Sequence, residues 1–321
     1  MINLDLFNSR TDLACENEKY QKEEFKLNGC NIVKSYHDDD IFFSIYTDAV
    51  INNISDEIKK IPEIIDNILK QVLKHLKINE SSKALVVGLG NDKITPDALG
   101  PRCIDRILVT KHLFDNDEDI TGLRNVSSFS PSVMGNTGME TSLIIESIVQ
   151  KFKPDFLIVI DALASINLNR VNQTIQISTK GICPGSGIGN SRKEISFKTR
   201  GVPVISVGVP TVVDVASITN DVINFILNHI HKEIINPSNP LLFMPNNQNV
   251  SVPKEQKNKY IGLIGNLNED ELRRLIFEAI APTGYNFMVT TKDIDQAISN
   301  FAMIISRGIN LCLHQKVNST Q

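Results

Sequence analysis

Ala84-Leu-Val-Val-Gly-Leu-Gly-Asn91 and Phe156-Leu-Ile-Val-Ile-Asp161 are apolar runs of strand length, the first ending in glycines and the second in an acid. Runs without polar residues read as strands buried on both faces, the pattern of a parallel sheet covered by helices. Outward from them, strand-like pieces at Leu123–Phe129, Thr174–Ser178 and Pro203–Val207 alternate with helical stretches. Helical spacing runs from Val50 to Lys77 (Ile54, Ile58, Ile61, Ile65, Leu69, Val72, Leu76), where Pro62 divides it. It returns within Asp97–Phe114, over Glu140–Phe152 and from Val213 to Ile230. The alternation predicts an α/β chain with a mostly parallel sheet, strand C-termini gathered along one edge. Ligands and chemistry collect at that edge. Asp161 follows the second run directly, and Asp97 follows the first in Thr95-Pro-Asp-Ala-Leu-Gly-Pro101. Two such acids can divide the roles of general acid and general base. Taken alone, Asp97 also reads as a helix cap.

The chain has 321 residues, 41% of them hydrophobic, enough for a sizeable core. Its net charge of −4, with no dense basic run, argues against direct nucleic-acid binding. The N-terminus lacks a basic, then apolar, signal pattern, and no apolar stretch has bilayer length. The five cysteines, Cys15, Cys30, Cys103, Cys183 and Cys312, are scattered and form no CxxC pair. A reducing, cytoplasmic setting without membrane association is the expectation. The first 50 residues are polar, and Ile41-Phe-Phe-Ser-Ile-Tyr46 beside the acids Asp38, Asp39 and Asp40 reads as a hairpin or edge strand. Residues 236–258, rich in Asn and Pro, read as a long polar loop. Helical stretches at Glu269–Ala281 and Thr291–Leu313 are expected to pack on the sheet.

The remaining motifs exclude more than they assign. Gly88-Leu-Gly90 begins like a dinucleotide fingerprint, but position 93 is Lys and no third glycine follows. Gly181-Ile-Cys-Pro-Gly185-Ser-Gly187-Ile-Gly189 does not fit a P-loop. It reads as a flexible loop, or as one whose backbone N–H groups approach an oxyanion at Gly185 and Gly187. Glu140 stands where a helix begins, a place for a cap more than for a catalyst. None of the six histidines falls in HExxH or in a glycine-rich loop. No metal site and no cofactor are expected.

Together these segments resemble one known family. Val86-Val-Gly-Leu-Gly-Asn91, Thr95-Pro-Asp-Ala-Leu-Gly-Pro101, Pro154-Asp-Phe156, Ile160-Asp-Ala-Leu-Ala164, Arg170-Val-Asn-Gln-Thr-Ile-Gln-Ile-Ser178, Pro184-Gly-Ser-Gly-Ile-Gly-Asn190 and Gly208-Val-Pro-Thr-Val-Val-Asp214 are similar to the germination protease of spore-forming bacteria. The N-terminal Ser9-Arg-Thr-Asp-Leu-Ala14 fits as well, and the likeness covers nearly the whole chain. It implies a three-layer α/β/α sandwich related to hydrogenase maturation proteases. It implies an endopeptidase of the forespore and spore core that begins the degradation of small acid-soluble spore proteins. It further implies a homotetramer made as a zymogen, and an atypical aspartic-type peptidase whose two aspartates fall on Asp97 and Asp161.

Family substrates are cut after an acid and before Leu, Ile or Phe. Thr11-Asp-Leu-Ala-Cys-Glu16 mimics that pattern, so self-cleavage between Asp12 and Leu13 is expected. The reading divides the chain into a propeptide, residues 1–12, and a single peptidase domain, residues 13–321. Cys183 stands where relatives often carry His, and Asp92-Lys-Ile94 replaces a more aromatic stretch. Two alternatives accompany the resemblance. One is a metallopeptidase using Asp97, Asp161 and Glu140 as oxygen ligands. The other is a non-catalytic binder of spore proteins.

Overall fold

The computed structural model describes residues 11–17, 19–52, 54–116, 120–185, 193–235, 252–280 and 287–315. Its strands are β1 (Gln21–Leu27), β2 (Cys30–His37), β3 (Asp40–Tyr46), β4 (Ala84–Gly88), β5 (Val126–Phe129), β6 (Phe156–Ser165), β7 (Thr174–Ser178), β8 (Val204–Asp214) and β9 (Met288–Val289). Its helices are α1 (Ser55–Ile58), α2 (Ile61–His75), α3 (Leu99–Ile104), α4 (Lys111–Asp115), α5 (Met134–Thr137), α6 (Thr141–Phe152), α7 (Phe197–Arg200), α8 (Val215–Ile235), α9 (Lys254–Ile261), α10 (Glu269–Ile280) and α11 (Ile294–Leu313). Among the described residues no helix is long and apolar enough to cross a membrane.

All strands join one sheet in the order β1-β2-β3-β7-β8-β6-β4-β5, with β9 on the far end of β8. The strands β5-β4-β6-β8 are parallel, as their uninterrupted apolar sequences predict. The expectation of a mostly parallel sheet stops there, because β1, β2, β3 and β7 extend it through antiparallel pairs. Two tight turns make that half possible. Leu27 pairs with Cys30 across Asn28-Gly29, whose φ angles of 48° and 91° suit the right-handed twist of a hairpin. His37 pairs with Asp40 across Asp38-Asp39, so the acidic cluster is a turn. The hairpin reading of Ile41–Tyr46 is therefore right and the edge reading wrong, since β3 is paired on both sides.

The two faces of the sheet carry different layers. Val86, Ile158, Ile160, Ile205 and Val207 meet α2, α3 and α11 through Ile65, Leu69, Cys103, Phe301 and Ile305. Leu85, Val87, Leu157, Val159 and Val204 meet Ile145 and Val149 of α6 on the other side. Each fully buried aliphatic side chain contributes about 1.5–3 kcal/mol, so these two layers dominate the stability. Pro62 sits in the first turn of α2, where its missing N–H costs no helical bond. The C-terminal helices part company: α11 lies over the sheet, while α10 packs Leu272 and Ile276 on Ala216 of α8. The stretch expected as a loop from 236 to 258 is helical from Lys254, where α9 begins. Its residues 236–251 lie outside the described ones.

A close approach of α3 to β4 fixes the edge that concerns function. A Cβ on Gly100 would lie 2.2 Å from the Leu89 carbonyl oxygen and 2.5 Å from its nitrogen. One on Gly88 would lie 2.4 Å from the Gly100 oxygen. Helix and strand touch through backbone because both positions lack a side chain. At the far end of α11, buried His314 accepts the Arg124 N–H at Nδ1 (3.3 Å) and donates from Nε2 to the Leu108 carbonyl (3.0 Å). Burial lowers its pKa, the Leu108 bond opposes that, and Arg124 adds to it.

Two outcomes follow for urea unfolding. Gly100→Ala must push α3 off β4 and should destabilise by about 1–3 kcal/mol. His314 takes up a proton more readily when unfolded, so stability should fall as pH drops below about 6.5 and the unfolded state gains the proton. His314→Gln should show a shallower fall in urea midpoint between about pH 7.5 and 5.5. An equal slope in wild type and variant would remove His314 from the account.

Candidate active site

Asp161 is inside a strand, not after one as its sequence context suggests, because β6 continues to Ser165. What ends is its neighbour. β4 stops at Gly88, which pairs with Ile160, and Leu89 N–H donates a last bond to the Ile160 carbonyl at 2.8 Å. Asp161 is thus the first β6 residue without a β4 partner. It is 6% exposed, and its Oδ1 accepts the Ala162 N–H at 2.9 Å. On its other side Asp161 is in register with Gly208 of β8, Gly208 with Gln176 of β7, and Gln176 with Ser44 of β3. Residues in register share a face. Ser44, Gln176, Gly208 and Asp161 therefore form one row across the sheet, on the face opposite Ile160, Val207 and Ile177. The bare glycine in that row is covered by Leu163 of β6, whose Cγ would lie 2.6 Å from a Cβ on Gly208.

Asp97 reaches the same end of β4 by a folded-back loop. Gly90, at φ 110°, reverses the chain, and a Cβ there would lie 2.0 Å from the Asp97 carbonyl oxygen and 3.1 Å from its Oδ1. Asn91 N–H donates to the Asp97 carbonyl at 3.0 Å, closing the loop, and Asp97 N–H donates to Ile94 at 2.8 Å. Asp97 ends a 3-10 turn, Thr95–Asp97, and Ala98 is the cap of α3, so the helix-cap reading fails. The turn is pinned from outside. Thr211 Oγ1 of β8 donates to the Pro96 carbonyl at 2.8 Å, and Thr95 Oγ1 donates to Asp295 of α11 at 2.9 Å. Asn136 donates to Asn91 Oδ1 at 3.0 Å.

The N-terminal segment lies on the face that carries Gln176 and Asp161. Residues Thr11 to Ala14 line a cleft of about 240 Å³ together with Phe42, Leu163, Gln176, Ser178, Ser206 and Gly208. Asp12 pairs with Ala164 at the end of β6: its N–H donates to the Ala164 carbonyl (3.0 Å), and its Oδ2 accepts the Ala164 N–H (2.9 Å). Gln176 spans the next two peptides. Its Oε1 accepts Ala14 N–H at 2.7 Å and its Nε2 donates to the Asp12 carbonyl at 2.8 Å. Leu13 between them is 2% exposed. The Glu16 carboxylate is held by Ser165 Oγ (2.6 Å), Ile166 N–H (3.1 Å), Asn167 N–H (3.1 Å) and the Thr11 hydroxyl.

The other expected residues are less central. Glu140 precedes α6, accepts the Ser142 hydroxyl at 2.9 Å and lies 3.9 Å from Lys193. Gly185 has φ 75°, and Gly187 is outside the described residues. Cys183 lines the cleft, and burial, then Glu194, pushes its thiol pKa up. Among the described residues no three His, Cys, Asp or Glu side chains cluster as metal ligands would. Sequence reasoning passed over Gln176 and Ser165. The signal for Gln176 was present, since Thr174-Ile-Gln-Ile-Ser178 alternates polar with apolar and so gives a buried strand one polar face.

A family model described as Germination protease matches residues 33–321. The germination protease of Geobacillus sp. (strain WCH70) is 46% identical, over 81% of this chain and 73% of that protein. The Bacillus subtilis (strain 168) germination protease is 41% identical over 86% and 78%. The Bacillus licheniformis one is 39% identical over 99% and 96%. Among solved structures, a NiFe hydrogenase maturation protease, HycI from Thermococcus kodakarensis, aligns over 40% of this chain and 74% of its own. Its identity is 15% and its TM-score 0.28. With a family match across most of its length and relatives of this similarity, the chain belongs to the germination protease family.

Proposed function

We propose that this protein is an endopeptidase that begins the breakdown of small acid-soluble spore proteins in the germinating spore core, and that it cuts itself between Asp12 and Leu13. The observation that carries this reading is the seating of that bond. The segment lies on the sheet face that bears Asp161, its Leu13 side chain buried and its flanking peptides held by Ala164 and Gln176. A chain whose own residues 11–16 copy a substrate and form a wall of the cleft has the makings of a zymogen. Self-cleavage would leave Leu13 as a new terminus, free to withdraw and yield the cleft to a spore protein. Assembly as a homotetramer in the forespore cytoplasm completes the proposal, on the resemblance alone.

Asp97 and Asp161 supply the chemistry in this proposal. One carboxylate takes a proton from water, which adds to the Asp12 carbonyl carbon. The C–N bond to Leu13 then breaks, and the other carboxyl gives its proton to the leaving nitrogen. Their placement at the end of β4 supports the pairing, since the loop that carries Asp97 returns to the strand end where Asp161 stands.

Asp97→Asn and Asp161→Asn should each remove self-processing and cleavage of a purified acid-soluble spore protein, a loss of about 10²–10⁴-fold or more, while the circular dichroism stays native. Activity kept by either folded variant would overturn the pair. N-terminal sequencing of the processed chain should begin at Leu13, and any other start would move the scissile bond.

A further inference from the structure

We infer that Gln176 is a catalytic residue, the donor that holds and polarises the scissile carbonyl; this rests on the reading of Asp12–Leu13 as the bond that is cut. The bonding pattern fixes the orientation of the amide. Ala14 N–H is a donor, so the atom facing it is Oε1, and Nε2 is left for the Asp12 carbonyl at 2.8 Å. That carbonyl oxygen takes up the negative charge when water adds to its carbon. An N–H already aimed at it is stronger in the transition state than in the ground state.

The sheet register makes this arrangement specific. Gln176, Gly208 and Asp161 stand in one row on adjacent strands, so Gln176 and Asp161 face each other across two strand spacings, about 9–10 Å of backbone. The glycine between them makes room for Leu163, the next residue of β6 on that face. A Cβ on Gly208 would lie 2.6 Å from Leu163 Cγ and 3.0 Å from the Asp161 carbonyl oxygen. The peptide therefore has a neutral donor at its carbonyl, and the β6 side chain lining the cleft beside it is Leu163. Gln176 itself is 6% exposed, in a strand fixed by backbone bonds to β3 and β8, and its amide is oriented by the two peptides it bonds.

The test uses the full-length chain and its first-order rate of self-processing, followed by mass spectrometry. Q176M removes both polar contacts, and Q176E keeps an acceptor for Ala14 N–H but can donate to the carbonyl only when its carboxyl is protonated. Both should process about 10²–10³-fold more slowly than wild type at neutral pH. Relative to wild type, Q176E should recover as the pH falls through the carboxyl range, and Q176M should not. A residue that only ties down the segment through Ala14 would leave Q176E near the wild-type rate at every pH. That result, or a folded Q176M as fast as wild type, overturns the role of Gln176. Should Q176M fold poorly, Q176E and its pH profile carry the test. A wild-type chain that is not cut after Asp12 overturns the underlying reading, and the Gln176 role with it.

Discussion

The site depends on β4 ending before β6 and β8 do. The cause is backbone packing: Gly88 and Gly100 bring α3 against the strand so closely that no side chain fits, and the chain must leave the sheet at Leu89. A central strand that stops early strips the next residue of its neighbour on one side. In β6 that residue is Asp161, which keeps a β8 partner and loses a β4 one. Gly90 then turns the chain, and the 3-10 turn at Thr95–Asp97 brings Asp97 back beside Gly90, braced by Thr211 and Asp295. Both acids owe their position to glycines at which a methyl group would collide.

The sheet's second distinctive property is a polar patch on a buried face. Gln176, Ser178 and Ser206 all lie below a tenth exposed in a structure otherwise floored with Ile and Val. Ser178 and Ser206 satisfy each other at 2.9 Å. Among the described residues, Gln176 gains its two side-chain bonds from the segment that includes Asp12 and Ala14. A buried amide left without partners costs about 1–3 kcal/mol, so without the segment something would have to replace it. Water can fill that place, and an extended peptide fills it with the donor and acceptor spacing already provided. The groove is thus adapted to a strand-like ligand by its own unsatisfied groups, as in recognition that adds a strand to an edge.

The parallel core was legible from the sequence because strands buried on both faces carry no polar residues, as in Leu85-Val-Val and Phe156-Leu-Ile-Val-Ile. The antiparallel half was not. β1 is exposed along nearly its whole length and shows no alternation to betray a face, although Asn28-Gly29 was a turn signal in plain view. The strand beyond Ile160 escaped notice because an acid ends an apolar run, whereas the backbone pairing with Gly208 ignores side-chain type. Asp97 was legible as a residue and not as a position, since it lies seven residues after Gly90 and the bond from Asn91 to its carbonyl shows the loop closing. Gln176 carried a local signal of polarity, but its meaning came from residues more than 160 positions away.

The way the N-terminal segment is held also bears on what else the groove can accept. The donors on the Glu16 carboxylate are two hydroxyls and two peptide N–H groups, all neutral. Hydrogen bonds to an ionised acceptor are about twice as strong as neutral ones, and they are directional in a way that a lysine ammonium is not. Fixed dipoles at short range also lose less to salt than surface ion pairs do. The Glu16 side chain is thereby held by its geometry relative to the end of β6, four residues after Asp12. In a chain of net charge −4, the Glu16 carboxylate is thus held by hydroxyls and fixed backbone dipoles.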